Sequence, residues 1–434
     1  LLGVSDSSLN NLKVPSIIIA EDLSPSDTAR LDPQFTLGFC TSSGGLTSHS
    51  AILARAMGIP AIVAMGENLQ KYILTGTPLV LDGWQGNLII DPGESTILNF
   101  YESKERHALR HAQISQDAQQ PAQTADGYFV EVSANISNVE SARQAIANGT
   151  EGIGLLRTEF LYLHDTRPPE EETQIKIYKE IFEIIGQKPI IIRTLDIGGD
   201  KPPSYLTFPI EMNPFLGWRA IRVSLDQPDL FKTQLRAILR AGFGYDVRIM
   251  FPMIIDLEEI LRARQLFEQA QAELRNEKLD FKSNMQVGIM IETPAAAMIV
   301  DILADHVDFF SLGTNDLTQY TLAVDRGNAH IADRYQPLHP SVLRLIKQSI
   351  EMAHAKGKWV GMCGEMAGML EAIPVLLGLG LDEVSVNPQT IPEVKYLIRQ
   401  LTKDHTQRIN EHVFGLNSVM EIKTYLNERL REFM

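Results

Sequence analysis

From about residue 125 onward the chain alternates between short apolar runs and helical stretches, and this alternation limits its fold more than any other feature. The runs are YFVEVSANI, GIGLLRTEF, PIIIRTLDI, VRIMFPMI, QVGIMIET, VDFFSLGTN, WVGMCGE and DEVSVNP. Eight strand-then-helix units over about 300 residues predict a (β/α)8 barrel. A doubly wound open sheet is the competing arrangement, but no glycine-rich dinucleotide fingerprint follows the first strand.

A barrel of this kind places reactive groups at the C-terminal ends of its strands. The suggestive polar residues fall there. Arg157 ends GIGLLR, Arg193 ends IIIR, and Glu292 ends VGIMIE. Asn315 and Asp316 follow VDFFSLGT, while Cys363 and Glu365 end WVGMCGE. All are expected on one rim.

Residues 1–94 have a different texture. Short runs rich in Val and Ile (PSIIIAEDL, TLGFC, PAIVAM, TPLVLDG, GNLIIDPG) surround one clear helical stretch, SHSAILARAMG. They predict a small α/β domain. Residues 95–122 read as a polar connecting helix, and 123–434 as the barrel domain. The expected fold class is therefore α/β: a small domain joined by a linker helix to a TIM barrel.

The formal net charge of −15 argues against a nucleic-acid-binding surface. It does not argue against an anionic small substrate, because local arginines can oppose the global sign. No apolar run approaches the roughly 20 residues of a membrane span, and the first residues do not resemble a secretory leader. The two cysteines, Cys40 and Cys363, suggest a reducing compartment, so a cytoplasmic location is expected. The first residue is Leu, which suggests a piece of a longer protein.

Arg157 and Arg193 stand in strands that are otherwise apolar, so each needs a carboxylate, a phosphate or a wet cavity opposite it. Arg219 and Arg222 in NPFLGWRAIR and Arg326 in LAVDRGN extend the set. Convergent guanidiniums suit a small, multiply charged anion. The plain alternative pairs individual arginines with Glu159, Asp196 or Asp325. Glu292 and Asp316 end adjacent strands, a carboxylate pair that suits Mg²⁺, while no Cys or His group has zinc spacing. The plain alternative is two buried carboxylates answering the arginines. Cys363 reads as a nucleophile, a proton donor or an inert small hydrophobe.

The segment GGLTSHSAILARAMGIPAIV places His49 just after two glycines and the helix-capping residues Thr47 and Ser48. A phosphoryl group on His49 would be favoured by the helix N-terminus, which also keeps the imidazole neutral and nucleophilic. The plain reading is a surface histidine.

These motifs carry a resemblance. GGLTSHSAILAR resembles the active-histidine motif of enzyme I of the phosphoenolpyruvate:sugar phosphotransferase system. GIGLLRTEF, RTLDIGGDK, NPFLGWRAIR, IMFPMI, ETPAA, DFFSLGTNDLTQYTLAVDRGN and GMCGE resemble the barrel of the same family, from about residue 14 to about residue 400. The resemblance implies that His49 is phosphorylated by phosphoenolpyruvate. It implies that Arg157, Arg193, Arg219, Asn315 and Arg326 hold that substrate, that Glu292 and Asp316 bind Mg²⁺, and that Cys363 protonates the departing enolate. It also implies a histidine phosphocarrier as partner and a homodimer through the barrel. Two departures are expected to matter. The family inserts a carrier-docking helical subdomain ahead of the region seen here, which this chain is expected to lack, and Leu46 stands where the family usually has Arg, which leans toward a specialised version such as the fusions that carry the phosphocarrier in the same chain. Competing readings are a fragment of pyruvate phosphate dikinase or phosphoenolpyruvate synthase, and a non-catalytic phosphoenolpyruvate sensor.

Overall fold

The structure, a computed structural model, describes residues 14–23, 31–32, 35–43, 54, 59–66, 69, 73–83, 86–163, 166–198, 203–328 and 330–434. Contacts divide the chain into two compact units, Leu1–His111 with Val324–Tyr335, and Ala112–Ala323 with Gln336–Met434.

In the first unit, β1 (Ser16–Ala20), β2 (Thr36–Thr41) and β3 (Ala61–Ile62) form a parallel sheet in that order. Its strands are the Val/Ile-rich runs of the sequence, and Ile18, Leu23, Leu31, Phe39 and Ala54 bury together against it. Gly38 permits a close crossing, since a Cβ there would lie 2.6 Å from the carbonyl of Pro60. β4 (Leu79–Asp82) and β5 (Asn87–Ile90) pair as an antiparallel hairpin. The helix α1 (Glu94–Asp117) follows; the division between the units falls within it.

In the second unit, eight parallel strands close on themselves. They are β6 (Glu131–Ile136), β7 (Ile153–Leu156), β8 (Ile190–Arg193), β9 (Val247–Phe251), β10 (Val287–Ile291), β11 (Phe309–Leu312), β12 (Trp359–Met362) and β13 (Glu383–Val386). Each pairs with its successor in sequence, and β13 returns to β6. This is the expected (β/α)8 barrel, with every strand inside one of the eight runs. The helices make a continuous shell of buried Ile, Leu, Val and Phe against the outside of the strands.

Side chains alternate across a strand, so positions two apart line the same side. Leu155, Ile191, Met250, Met290, Phe309 and Cys363 form a separate buried cluster inside the strand ring. Ile191 is therefore followed, on the same side, by Arg193; Met290 by Glu292; and Phe309 by Ser311. The alternation that fills the barrel also lifts Arg193, Glu292 and Cys363 to its C-terminal end. No helix among the described residues is long and apolar enough to cross a membrane.

Candidate active site

Most of the polar residues expected on the barrel rim are brought together. Arg193, the last residue of β8, is 9% exposed. Its guanidinium pairs with Glu159 at 2.9 Å and with Asp196 at 3.1 Å. Arg219 comes from the loop after β8 and reaches Asp196 at 3.1 Å and Asp316 at 3.2 Å. It also donates to the Tyr320 hydroxyl at 3.2 Å, and that hydroxyl donates to the carbonyl of Phe215 at 2.5 Å. Glu159, Arg193, Asp196, Arg219 and Asp316 thus form one unbroken chain of alternating charge. Arg193 and Arg219 each have carboxylate partners in place.

The loop that delivers Arg219 is braced. Arg222 donates to the carbonyls of Leu216 and Gly217 at 3.0 and 2.8 Å. Ala220 takes a positive φ of 54°, uncommon without glycine, and its N–H bonds the carbonyl of Ile197 at 2.9 Å.

Glu292 follows β10 and is 1% exposed. Met253, at a φ of 57°, turns its backbone N–H onto the Glu292 carboxylate. Gly313 lets the end of β11 pass close by, since a Cβ there would lie 2.8 Å from the Cβ of Glu292. Burial first, then the carboxylates of Asp316 and Asp196, push the Glu292 carboxyl up to about 8, against the pull of Arg193 and Arg219. Asp316 lies in the first turn of the helix Thr314–Leu322, where the free N–H groups favour an anion.

These carboxylates fit a hard divalent ion. Their donors are all oxygen, and they follow two paired strands, β10 and β11. Among the described residues no three His, Cys, Asp or Glu side chains are arranged to hold a metal by themselves. The other ligand positions would fall to water or to substrate oxygens, as Mg²⁺ prefers.

Arg157 follows β7 and is reached by solvent. Among the described residues its side chain has neither a hydrogen-bond partner nor an ion pair. The protein packed around it and the like charge of Arg193 hold its proton affinity below the ordinary arginine value, though a guanidinium stays charged. Asn315 and Glu365 hold each other: the Glu365 N–H donates to Asn315 Oδ1 at 2.8 Å, and Asn315 Nδ2 to Glu365 Oε1 at 3.4 Å.

Cys363 follows β12 and is 3% exposed. Its N–H bonds the carbonyl of Leu312 at 3.1 Å, and its carbonyl accepts from Asn135 Nδ2 at 3.0 Å. Its sulfur accepts from the Ser311 hydroxyl at 3.3 Å. Burial pushes the thiol up to about 11, so it is a protonated thiol near neutral pH. This disfavours the nucleophile reading of Cys363, which needs a thiolate, and suits a proton donor.

Arg326 lies on Val324–Tyr335, which belongs to the other compact unit. There it is half-buried, in a turn closed by Asp325 accepting from the Gly327 N–H at 2.8 Å. His49 and Leu46 lie outside the described residues. Ser311, Asn135 and Tyr320 escaped the sequence reading. The strand pattern could have found the first two: Ser311 is the one polar residue of FFSL, and Asn135 continues the inward row of Glu131 and Ser133.

Across the rim, Glu159, Asp196, Glu292 and Asp316 stand against Arg157, Arg193 and Arg219. With Glu292 protonated the two signs balance.

Residues 111–403 match the family described as PEP-utilising enzyme, PEP-binding domain, and residues 12–86 match PEP-utilising enzyme, mobile domain. A phosphoenolpyruvate-protein phosphotransferase of Bacillus sp. (strain S) is 45% identical over 98% of this chain and 74% of its own length. Its counterpart from Haemophilus influenzae is 45% identical over 100% of this chain and 75% of its own length. That of Staphylococcus aureus is 42% identical over 99% of this chain. Two family descriptions, each on its own stretch, and relatives of one name matched along nearly the whole chain lead to one conclusion: this chain belongs to the phosphoenolpyruvate-protein phosphotransferase family of PEP-utilising enzymes.

Proposed function

We propose that this enzyme moves the phosphoryl group of phosphoenolpyruvate onto His49 and releases pyruvate. The observation that carries the reading is the Arg193–Asp196–Arg219–Asp316 chain at the rim, with the protonated Cys363 thiol fixed in the same barrel end.

Each group then has a task. Arg157, with no carboxylate of its own among the described residues, and Arg193 and Arg219 bind the phosphate and carboxylate of phosphoenolpyruvate. Asn315, set by Glu365, and Arg326 complete the substrate's contacts. Glu292 and Asp316 would hold Mg²⁺, which neutralises phosphoryl and enolate oxygens when bound. The neutral imidazole of His49 attacks phosphorus in line, so that an N–P bond forms as the P–O bond to the enolate breaks. Protonation of the enolate carbon by Cys363 yields pyruvate and draws the transfer forward. Most of the catalysis is positioning and charge placement made before the substrate arrives.

The same reading extends beyond the barrel. Residues 1–94 form the domain that carries His49, with 95–122 as the hinge on which it moves. A histidine phosphocarrier is the next acceptor, the barrels pair as a homodimer, and the enzyme works in the cytoplasm as the first step of a sugar phosphotransferase relay. Family membership supports these points.

The test is incubation with phosphoenolpyruvate and Mg²⁺, followed by intact-mass analysis at alkaline pH, where phosphohistidine survives. A gain of one phosphate in the parent chain and none in His49→Ala is the expected result. An equal gain in His49→Ala would move the acceptor elsewhere.

A further inference from the structure

Cys363 is held at three points, and they are not equivalent. Its N–H is bound to Leu312 and its carbonyl to Asn135. Asn135 is itself locked, since its Nδ2 also donates to the carbonyl of Ser385 at 3.1 Å and its Oδ1 accepts from the Ser385 hydroxyl at 2.8 Å. These bonds fix the backbone and leave the side-chain torsion open. Cys363 belongs to a buried cluster with Leu155, Ile191, Met250, Met290 and Phe309, whose side chains offer no hydroxyl or N–H, and Trp359 packs against that cluster. The one strong donor it meets among the described residues is the Ser311 hydroxyl at 3.3 Å, from a side chain that is itself 1% exposed. The remaining polar contact of the sulfur, to the carbonyl of Leu312 at 3.9 Å, is long and is made by the S–H.

The consequence concerns the charge left behind. When Cys363 protonates the enolate, the S–H bond breaks and its electron pair stays on sulfur. The enolate double bond supplies the pair for the new C–H bond at C3, and the product is the ketone pyruvate. A thiolate is thereby created inside an apolar cluster, where an uncompensated charge is costly. Arg193 lies close enough to contact Met290, at 3.7 Å, and supplies a positive field. Among the described residues only Ser311 donates a hydrogen bond to the atom that becomes charged. A proton from water later restores the thiol.

We infer that Ser311 is a positioning residue for enolate protonation: its hydroxyl fixes the direction of the Cys363 thiol and stabilises the thiolate that the step creates. The inference rests on Cys363 being the proton donor. Ser311 touches neither substrate nor metal in this role and acts through the sulfur alone. A hydrogen bond to a charged group contributes enough that its loss should slow the step on the order of tenfold or more.

The test uses the full chain with Mg²⁺ and phosphoenolpyruvate stereospecifically labelled with deuterium and tritium at C3. Two quantities are followed in single turnovers: phosphate gained by the chain, and ketonisation on the enzyme, read from the methyl configuration of the pyruvate formed. Enolpyruvate that escapes is protonated in solution from either face and gives a racemic methyl group. For Ser311→Ala the ratio of on-enzyme ketonisation to phosphoryl transfer should fall about tenfold, and the methyl group should lose its configuration. Ser311→Thr, which keeps the hydroxyl, should recover most of the ratio. Cys363→Ala should show the lowest ratio of the set.

If Ser311→Ala keeps the parent ratio while Cys363→Ala loses it, the role of Ser311 is wrong and Cys363 remains the donor. If Cys363→Ala also keeps the parent ratio, the reading of Cys363 fails and this inference falls with it. Equal losses in Ser311→Ala and Ser311→Thr, accompanied by lowered unfolding temperatures, would make Ser311 a packing residue only and overturn the inference.

Discussion

Arg219 and Asp316 are 97 residues apart in sequence and meet at 3.2 Å, both nearly sealed from solvent. The first is on the loop after β8 and the second in the first turn of the helix after β11. Their contact joins the guanidiniums of the rim to the carboxylates proposed to hold the metal. Asp196 sits on the other nitrogen of the same guanidinium, so Arg219 holds two carboxylates apart as well as binding them.

Arg219→Lys should therefore be a severe change despite keeping the charge. An ammonium is a point donor and cannot span Asp196 and Asp316 in the way a planar fork does. The Michaelis constant for phosphoenolpyruvate should rise and turnover should fall by roughly 10- to 100-fold, on the order of 1.4–2.7 kcal/mol in the transition state. Arg219→Ala leaves the buried Asp316 without its guanidinium and Asp196 with Arg193 alone, and should also cost about 3–5 kcal/mol of stability. Steady-state kinetics and denaturant unfolding of both variants check this. Parent-like kinetics in the lysine variant would show that the fork geometry is irrelevant.

Both thiols should resist alkylation in the native state. Cys40 and Cys363 are buried, and burial pushes each up to about 11. The unfolded chain releases these protons near the ordinary value of 9.0, while the native chain keeps them until about 11. Below that window both states hold the proton and the thiols are neutral to stability. Across it the unfolded state binds fewer protons, so stability falls as pH rises, by on the order of 2 kcal/mol for each thiol. Iodoacetamide labelling at pH 8, followed by mass spectrometry, should modify both cysteines only under denaturing conditions. Rapid native labelling of Cys363 would contradict a protonated, enclosed thiol.

Asn135→Ala should loosen Cys363 by a different route from any change at the sulfur. It removes the donor to the carbonyls of Cys363 and Ser385 and the acceptor of the Ser385 hydroxyl. Those groups lie between β6, β12 and β13, where water is scarce. A loss of about 1–3 kcal/mol is expected, read as a lower unfolding midpoint in urea. An unchanged midpoint would mean that water replaces the amide without cost.

The barrel and most of its rim were legible because they follow from two periodicities. Repetition of strand and helix gave the closed sheet, and alternation within a strand put Arg193, Glu292 and Cys363 at one end. The ion pairs were less legible. That Arg193 would take both Glu159 and Asp196, and that Asp196 would be shared with Arg219, depends on loop paths such as the turn at Ala220, which no periodicity encodes. Ser311 and Asn135 were missed because their meaning lies across neighbouring strands, in their partners Cys363 and Ser385. Arg326 shows another limit: its motif is contiguous with Asp316 in sequence, and the division that groups Val324–Tyr335 with the first unit is encoded by no periodicity. The phosphotransferase reading itself came from motifs, and relatives of that name along the whole chain favour it over the dikinase and sensor alternatives.

The far end of the barrel offers a stability prediction that is independent of catalysis. Glu131 and Glu383 begin paired strands and face each other in register, with Arg248 among their neighbours. Gly154 and Gly361 make room for the Glu383 carboxylate, which a Cβ at either position would overlap. Glu383 is 3% exposed, and its Oε1 has no hydrogen-bond partner among the described residues. Burial first, then the charge of Glu131, hold its carboxyl well above the ordinary carboxylate range, against Arg248. At pH values below that range Glu383 is protonated in both folded and unfolded chains. As pH rises past it, the unfolded chain ionises and the folded chain resists, so the native state loses stability. Glu383→Gln keeps the shape and removes the ionisation. It should match the parent near pH 4.5 and exceed it at pH 8 by about 1–2 kcal/mol, a few degrees in unfolding temperature. Calorimetry of both chains at the two pH values decides the point. A variant less stable than the parent at pH 8 would mean that Glu383 is ionised and paired with Arg248 in the native barrel, and that the floor of the barrel holds a salt bridge in place of a retained proton.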